Sequence, residues 1–249
     1  MSSINFSPNR QAVKQIEGIK TIALIGIAYF LVADIALYLL NPGYELILAS
    51  AGDYDVGSYG LLAASAFFGL GLGSLALVIG LYQGVSPSGR SWIGLLLLGI
   101  WGVGMLIAAI FPASNAGSTV PHITTVRIAG IFPVDVEAYP DTRFGWIHLF
   151  AMLCSFFSLT LATILLSWRF KQDEKWRSFH RLALILALGM LAASFLFFLP
   201  FSLWLAYTAF NRGIFIVAGL VTGLIWLFLT AARLRLVVAR SISNEKMID

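Results

Sequence analysis

Two ionisable side chains stand inside long apolar stretches, and they pose the chemical question. Asp34 lies in the run Thr21–Leu40 and His148 in the run Phe144–Trp168. A carboxylate in the bilayer interior costs about 3 kcal/mol unless it is paired, protonated or wet. Asp34 therefore points either to a function or to a hydrogen bond that fixes helix packing. Some 13 residue steps at about 1.5 Å put it roughly 20 Å along its helix. His148 enters its own run from the opposite direction, about one turn in, which brings it within several ångströms of the depth of Asp34. If the two meet, the carboxylate holds the imidazole tautomer and raises its basicity, as in an Asp–His dyad or the outer shell of a metal site. If they do not, His148 is an interfacial histidine bonding to water or a headgroup.

Further polar groups are expected on the same side: Tyr44, Asp53, Asp55, His122, Asp135, Glu137, Asp141, Arg143 and Arg212. A metal site drawn from His122, His148 and two acids lacks any tight ligand spacing such as H-E-x-x-H, so no metal is assigned and no cofactor is identified. His148 and His180 fall at opposite ends of their runs, which excludes a bis-histidine haem between them. Every Lys lies at a run's end or in a loop, which excludes a buried Schiff base. No P-loop, G-x-S-x-G or dinucleotide fingerprint occurs. Cys154, the single cysteine, reads as packing.

The elements that must position these residues are six apolar runs, at about 21–40, 59–82, 92–111, 144–168, 182–201 and 214–234. Roughly 20 helical residues cross a 30 Å hydrocarbon core. With 59% hydrophobic residues, 11% charged and a mean hydropathy of +0.88, the chain requires lipid as its solvent. The expected fold is all-α: a six-helix transmembrane bundle forming a single polytopic domain over residues 1–249. Thirteen Lys and Arg fall on one side, and only Arg127, Arg143 and Arg212 on the other. The positive-inside rule then places both termini in the cytoplasm, in a plasma (inner) membrane, with the long loop between the third and fourth spans outside. The basic flanks belong to membrane topology, and no nucleic-acid partner is inferred.

Residues 1–19 carry Val13, Ile16 and Ile19 at helical spacing, as in a short interfacial helix before the first span. The loop 112–143 mixes prolines, acids and the apolar patch Ile128 to Val134, the composition of a folded cap. The charged loop 169–181 reads as solvated. Ser65, Gly69 and Gly73, and likewise Gly219 and Gly223, recur every four residues and read as helix-packing seams within the bundle.

The motifs Asn41-Pro42-Gly43-Tyr44, Phe132-Pro133-Val134-Asp135 and Gly145-x-x-His148 resemble the domain-of-unknown-function 998 family, polytopic membrane proteins with about six spans. The resemblance implies that Pro42, Tyr44, Pro133, Asp135, Gly145 and His148 are shared positions. The chain departs from it in the outer loop, where Phe111-Pro112 precedes the second Phe-Pro pair. It implies layout and carries no activity.

Three functions are compatible with these residues. The first is binding or movement of a lipid or small apolar ligand near the outer leaflet. Asp34 and Arg212 would hold its polar end, with His148 beside them, and Tyr44, Trp204 and Tyr207 its body. The second is a metal-dependent lipid hydrolase using His148 oriented by Asp34 or Asp135. The third is an accessory subunit of a membrane complex. Membrane lipids are the one assured partner, and oligomeric state is open.

Overall fold

The computed structural model describes residues 10–40, 59–111, 123–128, 132–137, 142–198 and 212–245. Within these lie six helices: α1 (Arg10–Leu40), α2 (Gly60–Gly84), α3 (Trp92–Ile110), α4 (Arg143–Phe170), α5 (Arg177–Phe198) and α6 (Arg212–Glu245). All six are long and apolar enough to cross a membrane. In hydrocarbon a backbone must satisfy its own polar groups, so apolar runs of this length become helices. The ends are set locally. The Ser91 hydroxyl caps α3 by accepting from Gly94 N at 3.1 Å, and Thr142 caps α4 by accepting from Gly145 N at 3.0 Å. Phe111 turns extended, with ψ 104°, because Pro112 follows it.

One departure from the sequence expectation concerns the start of the first span. The segment before the first span is no separate interfacial helix: α1 runs without a break from Arg10, ahead of its membrane-spanning part Gly18–Leu40. The long loop holds an antiparallel hairpin of β1 (Ile123–Ile128) and β2 (Phe132–Glu137), with Thr125 opposite Asp135. Phe132, Val134 and Val136 alternate with Pro133, Asp135 and Glu137, which is strand periodicity. Pro133 is tolerated because a two-stranded sheet has only edges. The membrane-spanning part is helical, as expected.

Each helix packs on the next, α6 closes back on α1, and α6 also touches α2 and α4. Small residues make the seams. A Cβ on Gly26 would strike the carbonyl oxygen of Gly69 and lie 2.9 Å from the Cα of Gly73, so α1 and α2 touch backbone to backbone. Beside this seam the Tyr29 hydroxyl bonds to Ser65 at 2.7 Å, while Ser65 donates to the Leu62 carbonyl. Gly219 admits Phe156, and Gly223 admits Met190 and Leu159. Both small-residue patterns seen in the sequence are thus internal seams.

The alternating helices give the molecule two ends. The basic end carries loops 83–91 and 171–176, the start of α1 and the end of α6. The other end, with the hairpin between α3 and α4, carries the ends of α1, α3 and α5 and the starts of α2, α4 and α6. At the basic end the expectation of a merely solvated charged loop fails at two residues. Asp173 is 4% exposed, and its carboxylate accepts from Ser86 N at 2.7 Å and Lys175 N at 2.8 Å. Trp176 is fully buried, stacked on Phe170 at 4.6 Å. The two loops are clamped together.

Candidate functional site

His148 ends in the first turns of α4, 4% exposed. Its Nδ1 bonds to the Phe111 carbonyl at 2.8 Å. A carbonyl only accepts, so Nδ1 carries the proton and the bond ties the last turn of α3 to the first turns of α4. Phe67 of α2 meets the imidazole edge-on, with centroids 6.2 Å apart and planes at 87°. Phe30 of α1 packs on Phe67 at 5.5 Å. Replacing His148 by Ala deletes this clamp and takes the partner from a part-buried carbonyl, so we expect about 1–3 kcal/mol of destabilisation. Thermal unfolding in detergent reads it, and a melting temperature equal to wild type would refute the clamp.

Asp34 lies one turn beyond Phe30 and is partly exposed. Among the described residues it makes no hydrogen bond or ion pair, and none joins it to His148. The pair foreseen from matching depth is therefore not brought together; α1 and α4 are bridged through Phe30 and Phe67. Asp135 sits in β2 opposite Thr125. Arg212 begins α6. Tyr44, Asp53, Asp55, His122, Asp141, Trp204 and Tyr207 fall outside the described residues. Among the described residues no group of three or more His, Cys, Asp or Glu could hold a metal ion.

A pronounced concavity lies elsewhere among the described residues. A groove of about 1130 Å³ runs along the lipid-facing side of α2, α3 and α4. Trp92, Leu96, Gly99, Val103 and Ile107 line it from α3 at steps of three and four residues, so one face of α3 forms the floor. Ile79 and Tyr82 of α2 and Trp146 and Phe150 of α4 form the walls. Gly99 deepens the floor: a Cβ placed there would meet nothing within 4 Å. From Trp92 to Ile107 the floor is roughly 22 Å long, more than the ~15 Å of one leaflet's hydrocarbon.

Aromatic residues close both ends. At the basic end the rings of Tyr82 and Trp92 are 5.2 Å apart, with the Arg90 guanidinium 4.2 Å from the Tyr82 ring centroid and 5.8 Å from that of Trp92. At the hairpin end Trp146 and Phe150 are 6.0 Å apart. This is where amphipathic rings sit in a membrane protein. The lining offers apolar contact and no acid–base pair, so it can hold a hydrocarbon chain and does not by itself do chemistry.

A family model described as a protein of unknown function (DUF998) matches residues 24–233. The chain belongs to the DUF998 family. No curated protein and no solved structure gives a significant match. The matched region of this DUF998 protein begins in α1 and ends in α6, so the whole ring of helices falls within the family unit. Neither Asp34 nor His148 lines the groove. What sequence reasoning missed in this DUF998 member is the groove itself and the Tyr82–Arg90–Trp92 cluster. The cluster had a signal, a lone arginine between two interfacial aromatics. The groove had none, since its lining is apolar like the rest of each run.

Proposed function

We propose that this protein binds a membrane lipid or small apolar ligand, with the hydrocarbon chain lying in the α2–α3–α4 groove. We further propose that the basic end faces the cytoplasm across a plasma membrane, on the strength of the positive-inside distribution. The observation that carries the binding proposal is the groove: long, apolar, and with aromatic residues at both ends. A chain laid in it exchanges bulk lipid for a fixed apolar wall, and the gain is shape-matched dispersion contact. The ligand site foreseen around Asp34 and Arg212 has no comparable geometric support among the described residues, so Asp34 is left out of the chain-holding role.

Gly99→Leu tests this directly. Gly99 lines the groove, a Cβ there meets nothing within 4 Å, and Leu favours helix over Gly. We expect native mass spectrometry of the detergent-released protein to show one retained lipid on the wild type. Retention should fall about tenfold in Gly99→Leu, with an unchanged or higher melting temperature. Equal retention by both proteins would overturn the proposal.

A further inference from the structure

We propose that the basic-end mouth of the groove is a headgroup site for an anionic, phosphate-bearing lipid, anchored by Arg90. The inference rests on the groove holding a lipid chain and adds which lipid it selects.

Arg90 is half-buried against the two aromatic rings that close that end. One of its terminal nitrogens donates to the Val85 carbonyl at 3.1 Å, which fixes the guanidinium plane. Its Nε is buried and has no hydrogen-bond partner. Among the described residues no carboxylate pairs with it. Arg169 joins it on the same rim, donating from Nε to the Arg90 carbonyl at 3.3 Å. The neighbouring acid, Asp173, is occupied by two backbone N–H groups. The mouth of the apolar groove thus carries two arginines with which no described carboxylate pairs.

A lipid chain in the groove directs its headgroup to one of the two ends. The groove lining itself holds no cation, but at the basic end Arg90 stacks on the lining residues Tyr82 and Trp92, whereas among the described residues no cation stacks on Trp146 or Phe150 at the hairpin end. At the basic end the planar, stacked guanidinium matches a phosphate, which it binds through paired N–H donors. Charge complementarity therefore selects an anionic phospholipid over a zwitterionic one. A single basic residue near an anionic headgroup gives roughly a fivefold preference.

The test is a titration of delipidated full-length protein in detergent with phosphatidylglycerol or phosphatidylcholine of identical chains, read by native mass spectrometry. Wild type is expected to bind phosphatidylglycerol about fivefold more tightly. Arg90→Gln should bring that ratio close to one, weakening phosphatidylglycerol binding more than phosphatidylcholine binding. Arg90→Lys should keep part of the preference, and it serves as the charge-retaining variant if Arg90→Gln fails to fold. Gly99→Leu should weaken both lipids equally. A wild-type ratio near one, or a ratio that survives Arg90→Gln, would overturn the headgroup assignment while the groove proposal stands. Absence of binding by either lipid would overturn both.

Discussion

Trp176→Ala is expected to be among the most damaging single substitutions in the chain, costing about 3–5 kcal/mol. The indole is fully buried where two loops and three helices converge. It stacks on Phe170 at 4.6 Å and meets Phe179 edge-on at 6.1 Å, and Phe170 in turn stacks on Trp226 of α6 at 6.4 Å. Its Nε1 donates to the Gly84 carbonyl at 3.3 Å, satisfying an acceptor at the end of α2. Truncation removes the ring, opens a cavity inside the stack and leaves that carbonyl unpaired. The surrounding aromatics are held on three different helices and cannot collapse together. Unfolding followed by tryptophan-independent circular dichroism reads the loss. A cost below about 1 kcal/mol would show that the basic end is not the clamp described.

Gly26→Leu is the second. A Cβ there meets backbone atoms, the Gly69 carbonyl oxygen and the Gly73 Cα. No flexible side chain can move aside, so the helices themselves must separate along the α1–α2 seam. Overpacking a filled core costs about 1–3 kcal/mol when side chains can adjust, and more when they cannot. We expect loss of more than 3 kcal/mol, or failure to recover folded protein at all. Gly18→Ala is the control, since a Cβ at Gly18 meets nothing within 4 Å and lies on the same helix. Folded yield and melting temperature of the two variants should differ sharply; equal values would contradict a backbone-contact seam.

The spans were legible because the bilayer leaves a backbone few options. An apolar run long enough to cross must be helical, and the runs near 92–111 and 144–168 match α3 and α4 within a few residues. The glycine spacings were legible for the same kind of reason: small residues at every fourth position have one main use between helices. The partners of those seams were not. Gly26 belongs to no four-residue repeat of small residues in α1 and gains meaning only when it meets Gly69 and Gly73.

The candidate site was legible only in part. Depth along a helix can be counted, so Asp34 and His148 could be matched in height. Lateral placement depends on the order of helices around the ring, and there Phe30 and Phe67 stand between them. In the loop 169–181, Gln172, Glu174 and Lys175 are exposed as their charges and polarity suggest. Asp173 differs because its carboxylate is enlisted by the Ser86 N–H of another loop, a contact between residues 87 positions apart in sequence. The groove left no mark at all. It is a shape made by three helices, and its apolar lining follows the same composition as any lipid-facing surface.

The most direct measurement is photolabelling in the bilayer with a phospholipid carrying a diazirine on its acyl chain, with adducts mapped by residue. Leu96 and Ile185 are nearly equally exposed, at 65% and 66%, but only Leu96 lies in the groove. Ile35, at 61%, is a second control on α1. Binding in the groove predicts adducts concentrated on Leu96, Ile100, Val103 and Phe150, several times above the controls, and lost from these positions in Gly99→Leu. Labelling that simply follows exposure, with Ile35 and Ile185 modified as often as Leu96, would contradict a lipid site in the groove.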